Sequence, residues 1–274
     1  MNAATDKIEP VAPLDASRIK TELGKLAADF SIQVFDKIGS TNTYLMQHAS
    51  QGANHATCVA AEAQVAGRGL YGRDWISAPG GSLTFSLLWR FARPMPRLEG
   101  VSLAVGVALV RALRELGVSE VKLKWPNDVL HHFHKLAGVL IETGSEPGGK
   151  SYAVIGIGIN IHLPDEARDK IGQAVTDWNS IMQTSVDRNS LLAHLLLNLS
   201  AVLNRFEQSG LSTLCEEWIG YHAYQNKNVR LMWPDHSEVL GRVIGIAENG
   251  ALLLETSEGE KQFSVGEISL RAAE

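Results

Sequence analysis

Gln64-Val65-Ala66-Gly67-Arg68-Gly69-Leu70-Tyr71-Gly72-Arg73-Asp74-Trp75 puts glycines at the GxGxxG spacing, and the residues after them decide the fold. A dinucleotide-binding turn of that spacing opens a helix at its last glycine and meets an acidic residue about 20 positions on. Here the chain continues Ile76-Ser77-Ala78-Pro79-Gly80-Gly81, which cannot be helical, so the Rossmann reading fails on context. Thr57 to Ala63 before the loop reads as a buried strand, and Ser82 to Trp89 after it alternates as the next one. The loop therefore joins sheet to sheet. Its glycines allow close backbone approach and positive φ, and Arg68 and Arg73 offer forked donors to phosphate or carboxylate oxygens. A surface turn with solvated arginines is the plainer alternative, but a loop this long in a compact domain is usually functional.

Outward from the loop, Arg18 to Phe30 carries Ile19, Leu23 and Leu26 at helical spacing, and Ile32 to Phe35 reads as a short strand. Ser40, Thr41 and Asn42 supply N-cap chemistry for a helix through His48. Leu98, Val101, Val105, Leu109, Leu113 and Leu116 share one helical face that ends at Gly117. Val121 to Trp125, Lys135 to Glu142 and Tyr152 to Ile161 read as strands, the last two joined through Pro147, Gly148 and Gly149. Asp187 caps a helix over 190–208, and Leu211 to Gly220 forms a shorter one. Past a boundary near Tyr221, five runs (229–233, 238–246, 251–255, 261–265 and 267–270) with an Asn249-Gly250 turn predict a small barrel. These runs read as α/β, with more strands than crossovers, and divide into an N-terminal lead (1–30), a catalytic unit (31–220) and a C-terminal unit (221–274).

The 274 residues, 45% hydrophobic and 20% charged, suit one sizeable domain with a small satellite and argue against disorder. A net charge of -5 provides no global attraction for nucleic acid or acidic lipid. Cys58 and Cys215 lack ligand spacing and read as reduced packing residues of a cytoplasmic protein. The stretch from Met1 to Ala16 has no apolar run of signal-peptide length, and no apolar run elsewhere is long enough to span a membrane.

Three further segments carry chemistry. Lys124-Trp125-Pro126-Asn127-Asp128 ends a strand with a lysine able to meet phosphate and a carboxylate able to orient a cation, or else is a capped turn over a buried tryptophan. Lys135 heads the apolar run Leu136-Ala137-Gly138-Val139-Leu140, as a snorkelling edge residue or as a ligand for an anion. Gly156-Ile157-Gly158-Ile159-Asn160 leaves room for a ligand ring against backbone and ends in an amide that can read it, or else marks a close strand crossing. His131, His132 and His134 diverge too much for a metal centre and read as a solvated hairpin tip.

In order and spacing these segments, with Gly39-Ser40-Thr41-Asn42 and Gly266-Glu267-Ile268-Ser269-Leu270-Arg271, resemble the biotin protein ligases over residues 32–271. The resemblance implies a mixed-sheet α/β catalytic domain of the biotin/lipoate ligase type with a C-terminal SH3-like barrel. It implies a two-step reaction in which biotin and ATP, with Mg²⁺, give biotinyl-5′-AMP, which then acylates a lysine of a biotin carboxyl carrier domain such as that of acetyl-CoA carboxylase. By resemblance Ser40, Thr41 and Gln64 read biotin, with Gly67 and Gly138 beside it, and Arg68 and Lys135 are the catalytic cations. Arg73, Trp75, Lys124, Asn127, Asn160 and Arg271 hold ATP or the adenylate, and Asp128 is the metal neighbour.

Two departures stand out. The family usually has arginine where this chain has Leu70, which removes one clamp on the intermediate and predicts an adenylate that leaks. Family members that double as repressors carry a winged helix-turn-helix, which needs three helices and a basic face. Only about thirty residues precede the Ile32 strand here, with four basic and five acidic side chains, so a monofunctional ligase without nucleic-acid binding is expected. A lipoate or octanoate transferase and a biotin sensor without turnover are the alternatives. Edge strands leave a homodimer open, with no membrane partner.

Overall fold

The structure is a computed structural model that describes residues 12–77, 79–92, 98–146, 149–266 and 268–273. The first eleven residues of the N-terminal lead, the Pro147-Gly148 part of one expected loop and the Glu267 start of the last expected strand lie outside them.

The lead holds α1 (Ala16–Leu23), and the catalytic unit then runs β1 (Ser31–Ile38), α2 (Thr41–Ser50), β2 (Thr57–Gln64), β3 (Ser82–Arg90), α3 (Val101–Glu115), β4 (Val121–Lys124), β5 (Asp128–His131), β6 (His134–Ser145) and β7 (Ser151–Asn160). It closes with α4 (Asp165–Lys170), α5 (Trp178–Met182), α6 (Arg188–Ser209) and α7 (Cys215–Tyr221). The seven strands form one mixed sheet in the order β1-β2-β3-β7-β6-β5-β4, parallel only between β1 and β2. Successive side chains of a strand take opposite faces. Cys58 and Ala60 of β2 accordingly join the main core under α3 and α6, while Val59 meets Leu45 and Ala49 of α2 on the other side. Three layers result, with the sheet in the middle.

Local sequence explains the ends of these elements. Ser40 caps α2 by accepting from the Thr43 amide at 3.4 Å, and Asp187 caps α6. At the far end of α3, Gly117 takes φ 89°, and the amides of Gly117 and Val118 reach back to Arg114 and Leu113. That is a Schellman closure, which glycine permits without a Cβ clash. The helix begins at Val101, so Leu98 lies before it rather than on its face, because Gly100 with φ 87° fills the cap position. α4, α5 and β5 have no counterpart in the periodicity, since segments of four to six residues are too short to show one.

Residues 12–30 are committed to the catalytic unit. Leu14, Ile19, Leu23 and Phe30 lie in the main core. Arg188, buried on α6, pairs with Glu62 at 2.8 Å and donates to the Ala12 and Ser82 carbonyls, while the Leu14 amide donates to Glu62 at 2.6 Å. Breaking such a pair from one side leaves an uncompensated buried charge.

The C-terminal unit holds β8 (Asn228–Met232), β9 (Glu238–Ile246), β10 (Leu252–Thr256), β11 (Gly259–Phe263) and β12 (Ser269–Ala272). Their order, β11-β10-β9-β8-β12, is that of an antiparallel sheet with β11 and β12 at its edges, and no pairing closes it into a barrel among the described residues. Contacts that join this unit to the catalytic one include the Ala223 amide donating to the Leu123 carbonyl at 2.8 Å, Trp125 Nε1 to the Gly250 carbonyl at 3.0 Å, Arg73 Nη2 to Ser269 Oγ at 3.3 Å, and the Tyr71 hydroxyl to the Gly266 carbonyl. No helix among the described residues is long and apolar enough to cross a membrane.

Candidate active site

Two adjoining pockets open on the carboxyl side of the loop from Gln64 to Trp75. One is framed by the loop, the Lys124–Asp128 turn, residues 171–175 and residues 268–271 of the C-terminal unit. The other lies between the start of α2, the end of β2 and the facing middles of β6 and β7. Gly69, Leu70, Trp75, Asn127 and Lys135 line both.

The loop is a small closed hairpin. Trp75 N donates to Gly67 O at 3.0 Å, Gly69 N to Arg73 O at 2.7 Å, and Arg68 bridges Asp74. Of its three glycines only Gly72 uses positive φ, at 71°, and Tyr71 before it adopts φ 59°. Gly67 lies outside the lining of both pockets, and a Cβ there would come within 2.5 Å of the Trp75 carbonyl oxygen. It allows the hairpin to close, which aims the Trp75 ring inward.

That ring explains the glycines of the facing strands. A Cβ on Gly158 would collide with the indole, and one on Gly138 would lie 3.2 Å from it and 3.1 Å from Lys135 Nζ. The space left beside Gly158 is thus filled by the chain's own tryptophan, whose Nε1 is buried without an acceptor. Lys135 Nζ stands 5.6 Å from the Trp75 ring centroid and 2.6 Å from Asp128 Oδ1. The contact is a close ion pair, and an ammonium has three donors, so it can meet further acceptors beside Asp128.

In the β6–β7 pocket, polar groups are tied to each other. Gln64 Oε1 accepts from the Thr41 amide at 2.7 Å and from its hydroxyl at 3.0 Å. The buried Ser86 hydroxyl stands between Thr41 Oγ1 at 2.7 Å and Asn42 Oδ1 at 2.6 Å. Asn42 Nδ2 donates to Glu142 Oε2 at 3.0 Å, and Arg68 Nη2 donates to the same oxygen at 2.7 Å. A Cβ at Gly156 would strike the Asn42 amide, so that glycine admits this network rather than a ligand.

The loop–turn pocket is cationic. Arg73, Lys124, Lys135 and Arg271 line it against Asp74 and Asp128. Burial pushes the Lys124 ammonium down to about 8; Asp128 opposes the shift, and Arg271, Lys135 and Arg73 add to it. Asn127 is turned back onto β6, donating to Val139 O at 2.7 Å, and Asn160 Nδ2 donates to the carbonyls of Lys135 and Thr176. Both amides thus brace the wall they line. Asp128 belongs to no group of three or more His, Cys, Asp or Glu able to hold a metal among the described residues. A cation there would need its remaining ligands from phosphate and water, as Mg²⁺ commonly takes them. The three histidines sit at the β5–β6 hairpin tip, where His132 and Phe133 both adopt positive φ.

The structure brings together Ser40, Thr41, Gln64, Arg68, Lys135 and Gly138 in one pocket, and Arg73, Trp75, Lys124, Asn127, Asp128, Asn160 and Arg271 in the other. Sequence reasoning took Asn42 only as capping chemistry and missed Ser86 and Glu142. A serine and a glutamate in strands of this kind carry no spacing signal, and only the packing of α2 across β3 and β6 makes them neighbours.

Comparison with known proteins agrees with this geometry. Residues 34–160 match the biotin/lipoate A/B protein ligase family, and residues 225–271 match the biotin protein ligase C terminal domain. The chain is 38% identical to the bifunctional ligase/repressor BirA of Salmonella typhimurium, over 97% of this chain and 81% of that one. It is 28% identical to the biotin--[acetyl-CoA-carboxylase] ligase of Mycobacterium tuberculosis, over 96% and 97% of the two chains. Among solved structures, the biotin protein ligase from Aquifex aeolicus in complex with biotin and ATP superimposes with a TM-score of 0.76 at 28% identity, covering 89% of this chain and 99% of that one. By sequence and by fold, the chain belongs to the biotin/lipoate A/B protein ligase family.

Proposed function

We infer that this protein is an ATP-dependent biotin protein ligase that activates biotin as biotinyl-5′-AMP and transfers it to a lysine of a biotin carboxyl carrier domain. The carrying observation is the shared wall: a pocket with a polar end and a cationic pocket meet at Lys135 and Trp75. Relatives named for biotin ligation, and a neighbour holding biotin and ATP together, support it.

In the first step a biotin carboxylate oxygen attacks the α-phosphorus of ATP, and pyrophosphate leaves. In the second the carrier lysine amine attacks the acyl carbonyl, loses a proton, and AMP leaves. Neither step needs a protein nucleophile, so positioned positive charge is what this chain must supply. Ser40, Thr41 and Gln64 read the ureido ring, with Gly138 beside it. Arg68 and Lys135 hold the two reacting anions, and Lys135 is placed to serve both because it lines both pockets. Arg73, Lys124 and Arg271 face the polyphosphate, and Trp75, Asn127 and Asn160 wall the adenylate. Mg²⁺, when bound, would supply charge neutralisation at the phosphates, and Asp128 is the side chain that would hold it.

The two cysteines are free, in keeping with a reducing cytoplasm. Residues 12–30, packed into the catalytic core, offer no separate DNA-reading unit. Gln64 Nε2, which takes no part in the bonds between Gln64 and Thr41, can donate to a ureido oxygen, a group that biotin has and lipoate and octanoate lack.

The deciding experiment is biotin-dependent pyrophosphate release from Mg-ATP, with a carrier domain whose acceptor lysine is read by mass. Release with one biotin on that lysine is expected. Tight biotin binding without release would instead make the protein a sensor, and turnover with lipoate in place of biotin would move it to the other branch of the family.

A further inference from the structure

The polar groups of the β6–β7 pocket form one unbroken chain. It runs from Gln64 through Thr41, Ser86 and Asn42 to Glu142, and ends on the Arg68 guanidinium. Its first members stand where the ring of a ligand would be read, and its last is a cation for the ligand's carboxylate. Glu142 is the joint between them. It lies on β6 on the same face as Gly138 and Leu140, which line the pocket, about 13 Å along the strand from Gly138 and just beyond the lining residues. Its carboxylate is mostly buried, with 27% of the side chain exposed, whereas 43% of the Arg68 side chain is exposed on a loop rich in glycine.

We propose that Glu142 is a positioning residue that fixes Arg68 at a set distance from the Thr41–Gln64 pair, so that the pocket measures the ring-to-carboxylate length of its substrate. This rests on the biotin ligase reading. The physical case has three parts. First, Glu142 Oε2 takes Nη2 of Arg68, and no other side chain pairs with this guanidinium among the described residues, so the rest of the fork is left for a ligand anion. Second, Asn42 holds the same carboxylate oxygen from the other side, and Asn42 is itself fixed by Ser86 and by the space over Gly156. Third, the network is anchored at its buried end by Ser86, and an arginine tied to it by Glu142 is held, while one on a glycine loop with no partner would sample many rotamers. Length discrimination needs that rigidity, because one methylene by itself is a weak discriminator in an apolar pocket.

The test uses the whole protein with biotin and with homobiotin and norbiotin, whose tails are one methylene longer and shorter. Adenylate formation is followed as pyrophosphate release in the wild type, Glu142→Ala, Glu142→Gln, Arg68→Ala and the Arg68→Ala/Glu142→Ala double variant, with unfolding midpoints recorded for each. The expected result is a preference of the wild type for biotin over both analogues that shrinks about tenfold in Glu142→Ala. Glu142→Gln, which keeps an acceptor for both Asn42 and Arg68, retains most of it. The double variant discriminates no worse than Arg68→Ala alone, since without the arginine Glu142 has nothing to position. An unchanged preference in a folded Glu142→Ala protein, or a further loss in the double variant, overturns the proposal. So does tighter biotin binding in Glu142→Gln, which would mean that Glu142 withholds Arg68 rather than presenting it. A wild type that releases no pyrophosphate with biotin would count against the ligase reading instead.

Discussion

The two pockets are built on opposite principles. The β6–β7 pocket has its polar atoms bonded to one another across α2, β2, β3 and β6, within a single core. The loop–turn pocket gathers Arg73, Lys124, Lys135 and Arg271 from four separate stretches, one of them in the C-terminal unit, against two carboxylates. A connected network can hold its shape without a ligand, whereas clustered like charges raise one another's energy and are relieved by a bound polyanion. The contrast suits a small rigid ring on one side and a nucleotide on the other.

The largest test of that contrast falls on the residue common to both. Lys135→Met should lower single-turnover adenylate formation by about 10²- to 10³-fold, the usual effect of removing a positioned charge from a developing anion. A loss under tenfold would assign the charge to Arg68 or Lys124 and separate the pockets chemically. Gly158→Ala comes next: its Cβ meets the Trp75 indole and should cost about 1–3 kcal/mol in urea unfolding. Gly172→Ala, with open space around it, is the control, and equal behaviour of the two would show that the shared wall yields.

Leu70 lines both pockets where an arginine would add a forked donor. Leu70→Arg should slow release of biotinyl-5′-AMP about tenfold and reduce labelling of bystander lysines; an unchanged off-rate would mean that the cations present already suffice. The smallest effect concerns Lys124. With its ammonium at about 8, charge for the phosphates is lost as pH rises, so ATP affinity should fall about three- to fourfold from pH 7 to 8.5. Lys124→Arg, which stays protonated, should remain flat over the same range. Stability runs the other way. The folded state releases this proton before the unfolded state does, so stability should rise between about pH 8 and 10.5. A titration that showed ATP affinity flat in the wild type would remove Lys124 from the phosphate site.

Much of the candidate site was legible because loop and turn chemistry is local. Pro79 and the Gly80-Gly81 pair after Trp75 excluded a helix there, and Ser40 announced the start of α2 through capping alone. The open C-terminal sheet was not legible as such, because five short alternating strands read alike whether or not their edge strands meet. Gly67 and Gly156 were legible as close approaches, but not what approaches: one admits the Trp75 carbonyl and the other the Asn42 amide.

By itself the sequence determined the elements with period or punctuation of their own, namely α3 with its glycine stop, α6 behind Asp187, the strands flanking the arginine loop and the cations poised at their ends. Tertiary structure alone decided that Glu142, 74 positions after Arg68, holds that arginine, and that Trp75 covers Gly158. It also decided that Trp125 and Arg73 tie the pocket to the C-terminal unit. The reason is physical. Propensity and capping act over a few residues of one segment, whereas a hydrogen bond or an ion pair between segments depends on how the layers stack, and no local pattern encodes that.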